Sequence, residues 1–374
     1  MDKSLVALSL VVYALFLFPI IFHGGLMVNA ETYGTEDGSE KWGYVEVRPG
    51  FKIQASHGLS FFGYRVDPSG SSGVGIGNFQ EIGPLDTNLK TRDSTWLKKA
   101  DLLFVDSPVG TGYSYVENAS LLVKTDEEAA ADLTTLLIDV FNRNESLQKS
   151  PLYIVGESYG GKHAVTLGLS ALQAIKDGKL NAKLGGVVLG DSWISPEDYA
   201  FTWGPLLNDL SRLDNNCLDK SNWLANRIKQ RLEALEFRNA YNNASELGDF
   251  ISNCSNYVNF YNFLLDSWTD PLLYPTASQS SQQTSLRSTH HRNANLTALM
   301  NGKIMKKLDI IPQNHTWESN SDNVSDASAE DFMRPRINEV DLLLSKGVDV
   351  TIYNGQLDLL CSTKGTEAWV EKLK

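Results

Sequence analysis

Residues 151–165 read PLYIVGESYGGKHAV, which is an apolar strand, a tight glycine turn with a serine at its apex, and the beginning of a helix. A G-x-S-x-G pattern between a strand and a helix is typical of a nucleophile elbow, whose strained backbone exposes the serine hydroxyl. Side chains at Gly156 and Gly160 would clash with so sharp a turn. We therefore predict that Ser158 is a nucleophile and that the backbone N–H of Tyr159 is the first oxyanion donor. The alternative is an ordinary strand-to-helix turn in which Ser158 has no chemical role.

Apolar strands and helices alternate on both sides of this elbow. Continuous apolar runs that end in turns predict buried strands, and a T-D-E-E capping box predicts a helix. Strands that alternate with helices predict an α/β fold with a mostly parallel central sheet. The predicted strands are Tyr44–Phe51, Phe61–Val66, Ala100–Asp106, Leu152–Val155, Leu184–Asp191 and Asp349–Tyr353, the predicted helices are Thr125–Glu145 and Gly160–Ile175, and Gly70–Gly77 is predicted to be a glycine-rich loop.

A polar segment rich in Asn and Ser separates the two strand-rich parts of the chain and predicts an inserted helical cap. We assign residues 31–193 and 339–374 to the α/β core and residues 194–338 to the cap. Within the cap, the low-complexity run Gln279–Arg292 is predicted to be a mobile loop.

The N-terminus resembles a targeting segment. Lys3 precedes an apolar run from Leu5 to Phe22, and small residues then lead to Ala30. This pattern predicts a cleaved signal peptide over residues 1–30, although the run is also close to the lower length limit for a retained membrane anchor. We expect a secreted or vacuolar/lysosomal glycoprotein with no stable membrane association after cleavage. The N-x-[ST] sequons are at Asn118, Asn144, Asn243, Asn253, Asn295, Asn314 and Asn323.

Composition narrows the classes of partner and cofactor. A net charge of −12 and a pI near 5.0 argue against nucleic acid as a partner. The chain has three cysteines, Cys217, Cys254 and Cys361, and their pairing is open. Because no C-x-x-C occurs and no His/Cys cluster has the spacing of zinc ligands, we predict neither a metal nor another cofactor.

Three further blocks accompany the elbow, and together the four resemble a known family. They are NFQEIGPL at 78–85, DSPVGTGYSY at 106–115 and YNGQLDLLC at 353–361, beside VGESYGGK at 155–162. They resemble the serine carboxypeptidases, most of all the retinoid-inducible branch and its plant carboxypeptidase-like relatives. The resemblance extends from about Gly43 to the end of the sequence. It implies an α/β-hydrolase fold with a helical cap, and an enzyme that removes C-terminal residues from peptides through an acyl-enzyme.

By this resemblance Ser158 is the nucleophile and Asp358 is the acid of the catalytic triad. Glu81 and Glu157 correspond to the pair that recognises the C-terminal carboxylate of the substrate. Two close carboxyls share a proton at acidic pH and can then hydrogen-bond a third carboxylate, so the activity should favour acidic pH. From spacing alone, Glu81 would be a solvated surface carboxylate.

The resemblance also implies a histidine base that follows the triad acid. The sixteen residues after Asp358 contain no histidine, and the resemblance places the base in a further C-terminal stretch. We expect the histidines of this sequence to be surface or structural residues. They are His23, His57, His163, His290, His291 and His315.

A second expected part is an apolar strand that ends in a G-G-P turn and provides the other oxyanion N–H. Here FFGYRVDPSGS at 61–71 runs directly into SGVGIG, which places Pro68, without an N–H, near the oxyanion position. We therefore expect an internally deleted and truncated form that lacks one interior strand and its tail.

Two other functions stay open from the sequence. Without a base, the chain would be a non-catalytic homologue that binds peptides or a partner. An acyl-enzyme on Ser158 that is resolved by an alcohol would make the chain an acyltransferase that uses an activated acyl ester. Glu81 and Glu157 together favour peptide carboxylates over that alternative.

Overall fold

The computed structural model describes residues 32–36, 40–49, 51–57, 73–267 and 294–374. Four of the features predicted from the sequence lie outside these residues. They are the signal peptide, the strand Phe61–Val66, Pro68 and the whole low-complexity run Gln279–Arg292.

The strands are β1 Thr32–Gly34, β2 Lys41–Arg48, β3 Phe51–His57, β4 Leu103–Val105, β5 Tyr115–Val116, β6 Pro151–Glu157, β7 Lys183–Gly190 and β8 Val350–Tyr353. An antiparallel sheet has the order β1-β2-β3-β4, and β5 also pairs with β3. A parallel sheet has the order β6-β7-β8. The predicted parallel strands are thus confirmed in the second sheet, whereas the first sheet is antiparallel.

The helices are α1 Asp126–Asn142, α2 Glu145–Gln148, α3 Tyr159–Lys176, α4 Pro196–Asp209, α5 Asn215–Glu233, α6 Phe237–Cys254, α7 Ala294–Leu299, α8 Met305–Leu308, α9 Asp322–Phe332, α10 Ile337–Ser345 and α11 Thr363–Val370. Shorter turns are the 3₁₀ segments Trp96–Lys98 and Ala119–Leu121 and the π-helices Gly73–Ile82 and Met300–Ile304. The predicted cap of α1 is confirmed, because Thr125 Oγ1 accepts from Glu128 N at 3.2 Å. Within the described ranges, no helix is long and apolar enough to cross a bilayer.

The parallel sheet forms because α3 returns the chain from the end of β6 to the start of β7. Ile154, Val187 and Leu189 are buried together with apolar residues of α1 and α3. A Cβ on Gly168 of α3 would lie 2.9 Å from Val187, so helix and sheet pack closely at this point. This packing fixes the end of β6, where the elbow lies.

In the described residues no β-ladder joins the two sheets, and β4 and β6 each stand at the end of a described strand order; we call this break between the sheets the division. The π-helix Gly73–Ile82 packs at this division and buries Val74, Ile76 and Phe79 beside residues of both sheets. The prediction of a glycine-rich loop was therefore wrong from Gly73 onward. The apolar residues of this segment pack in a core that includes Trp317. A Cβ on Gly75 would lie 2.6 Å from the Trp317 ring.

Helices α4, α5 and α6 lie in the segment predicted to form the cap. A disulfide between Cys217 and Cys254 joins α5 to α6, which settles the pairing left open by the sequence, and Cys361 is buried with a free thiol. Helix α4 also contacts the end of the chain, where Trp203 Nε1 donates to Leu360 O at 3.0 Å. Trp193 stacks on Tyr199 with ring centroids 5.1 Å apart.

Candidate active site

Ser158 lies in the strained turn between β6 and α3. Its backbone has φ 58° and ψ −127°, a conformation that non-glycine residues rarely adopt and that costs about 1–3 kcal/mol. A Cβ on Gly156 would lie 2.1 Å from Gly160 O, so the turn requires glycine at residue 156. A second close approach is at Gly161, where a Cβ would lie 2.1 Å from Ser192 Oγ. The local geometry is that of a nucleophile elbow.

Backbone hydrogen bonds fix this turn to the end of β7. Ser158 N donates to Gly190 O at 3.0 Å, and Ser158 O accepts from Trp193 N at 2.9 Å and from Gly161 N at 3.0 Å. The Ser158 residue is 4% exposed. Tyr159 begins α3, which is the position from which its N–H was predicted to serve as an oxyanion donor.

A buried ionic network lies beneath the elbow, and the sequence did not reveal it. Lys162 Nζ lies 3.1 Å from Asp331 Oδ2, and both side chains are fully buried. Arg336 makes ion pairs with Asp126, Glu127 and Asp331. The three acids lie close enough together to hold a metal ion, but Arg336 pairs with all of them and Lys162 pairs with Asp331. Burial raises the pKa of Asp126 to about 8, although Lys162 and Arg336 both act to lower it.

Four acidic residues lie at the carboxyl ends of the parallel strands or beside them. Glu157 ends β6, Asp191 follows β7, and Asp358 lies in the turn after β8. Burial raises the pKa of Tyr353, and the charges of Glu157, Asp191 and Glu81 raise it further. Glu157 and Glu81 thus both lie near enough to Tyr353 to act on the pKa of its hydroxyl, and Glu81 itself is exposed.

Asp191 is a site residue that sequence reasoning missed. Its Oδ1 accepts from Gly355 N at 2.6 Å. Burial raises the pKa of its carboxyl, and Asp358 acts on that pKa in the opposite direction. Asp358 Oδ1 in turn accepts from Cys361 N at 3.1 Å. The available signal was an aspartate directly after the buried strand LGGVVLG, because the carboxyl ends of parallel strands meet at one edge of the sheet.

The structure describes the side chains of two of the six histidines. His163, on α3, has its ring centroid 4.9 Å from that of Tyr159, and burial lowers its pKa to about 4. His315 Nε2 forms a hydrogen bond with Gly112 O at 2.9 Å. The side chains of His23, His57, His290 and His291 lie outside the described part.

The sequence model of the family described as serine carboxypeptidase matches residues 68–374. The chain is 54% identical over 367 residues to serine carboxypeptidase-like 51 of Arabidopsis thaliana, a match that covers 90% of this chain and 79% of the relative. It is 39% identical over 378 residues to the retinoid-inducible serine carboxypeptidase of Homo sapiens, covering 96% and 83%. A crystal structure of a prohormone-processing carboxypeptidase from Saccharomyces cerevisiae superposes with a TM-score of 0.72 over 90% of this chain and 77% of that chain. At 17% identity this last similarity concerns the fold.

Proposed function

The chain belongs to the serine carboxypeptidase family, and we propose that it releases C-terminal amino acids from peptides through an acyl-enzyme on Ser158. The observation that carries this proposal is the elbow, in which Ser158 is held at φ 58° between β6 and α3. The family match supports the reaction class, and the strained turn supports the choice of nucleophile.

In the proposed reaction, Ser158 Oγ bonds to the carbonyl carbon of the last peptide bond, and the C–N bond then breaks. The hydroxyl proton passes through a base to the departing amine. Water next cleaves the ester, which releases the shortened peptide and returns a proton to Ser158. The Tyr159 N–H would stabilise the oxyanion, and Asp358 would orient the base. The family resemblance implies that this base is a histidine.

The selection of a free C-terminus is assigned to Glu81 and Glu157. Both act on the pKa of Tyr353, which supports the proposal that the two carboxyls lie near each other. A pair that shares a proton can donate a hydrogen bond to the carboxylate of the substrate, whereas two ionised groups would repel it. We therefore propose that activity is highest at acidic pH and that the substrates are peptide or protein C-termini.

We also propose that the protein passes through the secretory pathway to a secreted or vacuolar/lysosomal destination. The disulfide between Cys217 and Cys254 supports this route, because such bonds persist in oxidising compartments. The apolar run Leu5–Phe22 supports it independently.

The test combines substrate turnover with covalent labelling. The purified protein is incubated with an N-blocked dipeptide across pH 4–8, and the released amino acid is measured. In parallel, a fluorophosphonate probe is added and the labelled residue is identified by mass spectrometry. We expect release at acidic pH, labelling of Ser158, and loss of both in Ser158→Ala. Release that persists in Ser158→Ala, or a folded wild type with neither release nor labelling, would overturn the proposal.

A further inference from the structure

We propose that Asp191 is a positioning residue of the active site, which holds the turn carrying the triad acid Asp358. This inference rests on the proposed function. Asp191 directly follows β7, and the turn of Asp358 directly follows β8, the neighbouring parallel strand. The two carboxyls therefore meet at the same edge of the sheet that carries the elbow.

Asp191 contacts the beginning of this turn through both its backbone and its side chain. Its N–H donates to Tyr353 O at 3.0 Å, and its Oδ1 accepts from Gly355 N at 2.6 Å. The backbone at Asp191 has φ 39°, in the left-handed region that aspartate and asparagine tolerate better than other side chains. This bend directs the carboxyl back toward residues 353–358.

The same carboxyl lies close enough to that of Asp358 for the two to interact, since Asp358 acts on the pKa of Asp191. Two ionised carboxylates would repel each other, so we infer that this pair shares a proton. Asp358 Oδ1 accepts from Cys361 N at 3.1 Å. The triad acid is thus held by its own turn on one side and by Asp191 on the other.

The surroundings favour retention of this proton. Burial raises the pKa of Asp191, while the Gly355 N–H and Asp358 act in the opposite direction. Glu157 and Asp191 both act on the pKa of the neighbouring Tyr353 and of the buried Cys361 thiol, and Glu81 acts on Tyr353. Because these neighbours are acidic, loss of the shared proton adds a further negative charge to a negative region. The contact should therefore hold Asp358 best at acidic pH.

Three variants distinguish the effect of the contacts made by Asp191 from the effect of the proton that it shares with Asp358. Asp191→Asn keeps an acceptor for Gly355 N, tolerates the backbone bend and offers Asp358 an N–H at every pH. Asp191→Ala removes both contacts. Asp309→Ala is the matched control, because Asp309 is an exposed aspartate with φ 51° at the C-terminal end of α8, and its replacement has a similar backbone cost.

The variants are compared by kcat and KM for the dipeptide across pH 4–8. We expect Asp191→Ala to lose about tenfold or more in kcat with KM changed less than about threefold, because misplacement of a catalytic group affects chemistry more than binding. Asp191→Asn should recover much of that loss and maintain its kcat to higher pH than the wild type. Asp309→Ala should behave as the wild type. An unchanged kcat in Asp191→Ala, or the wild-type pH profile in Asp191→Asn, would overturn the inference.

Thermal unfolding across the same pH range is a readout that does not need turnover. A raised pKa in the folded state adds stability at low pH, and this stability is lost as pH rises through that pKa. We expect the wild-type Tm to fall more steeply with rising pH than that of Asp191→Asn. If no protein releases amino acids but this difference in slope is present, the proposed function fails and the carboxyl contact stands. Equal slopes would overturn the contact, whether or not the wild type is active.

Discussion

At the scale of single residues, the elbow depends on a glycine that no other residue can replace. A Cβ on Gly156 would lie 2.1 Å from Gly160 O, which is backbone and cannot rotate away. We expect Gly156→Ala to lower the free energy of unfolding by about 1–3 kcal/mol, as overpacked sites do, and to abolish labelling of Ser158. Urea denaturation measures the first effect and the fluorophosphonate probe the second.

Gly302→Ala is the control for that substitution. A Cβ on Gly302 meets no atom within 4 Å, and alanine is the better helix former. We expect its unfolding free energy to be equal to the wild type or higher. Equal stability losses in Gly156→Ala and Gly302→Ala would contradict the clash at the elbow.

A second residue-scale prediction concerns the buried His163. Burial lowers its pKa to about 4 from an ordinary value of 6.5, with smaller effects of Asp331 and Lys162. The unfolded chain therefore binds a proton that the folded protein excludes, and stability is lost as pH falls from 6.5 toward 4. The full effect is about 3 kcal/mol. We expect urea denaturation at several pH values to show that His163→Gln loses less unfolding free energy than the wild type as the pH falls. The same pH dependence in both proteins would contradict this prediction.

At the scale of elements, a buried ion pair connects the elbow helix α3 to α9. Lys162 Nζ lies 3.1 Å from Asp331 Oδ2, which also accepts from the Tyr159 hydroxyl at 2.8 Å. Removal of Lys162 leaves the buried Asp331 with only its longer pair to Arg336, so we expect Lys162→Met to lower the unfolding free energy by roughly 3–5 kcal/mol. The control is Lys364→Met, which breaks the exposed pair with Glu367 and should cause no measurable change in urea denaturation. Similar losses in both variants would refute this account.

The elements that could be predicted from the sequence are those whose signals are local. Strand β6, helix α3 and the cap of α1 each follow from neighbouring residues, and so does the elbow at Ser158. The pairing of Lys162 with Asp331 joins residues 169 positions apart, and no local pattern encodes it. The contact of Asp191 with Asp358 depends on β7 and β8 being neighbours in the sheet. The π-helix Gly73–Ile82 was missed because its packing depends on the distant Trp317.

At the scale of the whole molecule, the division between the two sheets should set the pattern of amide hydrogen exchange. Strand β7 is bonded on both sides, to β6 and to β8, whereas the described ladders of β4 and β6 end at the division. The amides of β4 and β6 that face the division lie in no ladder among the described residues, where the π-helix Gly73–Ile82 packs beside both sheets and is their expected protection. We expect amides of Val187–Leu189 to exchange slowest, through global unfolding. Amides of β4 and β6 that face the division should exchange at least about tenfold faster, through smaller openings.

Native-state exchange at low denaturant, resolved by NMR or by mass spectrometry of peptides, measures this difference. The internal control is the set of β6 amides that face β7 and hydrogen-bond to it. These amides belong to the same buried strand but have ladder partners. If both sets of β6 amides exchange at the same slow rate and respond equally to denaturant, a strand must pair with β6 in solution. The two sheets would then be one, and the expected loss of an interior strand would be wrong for the folded protein.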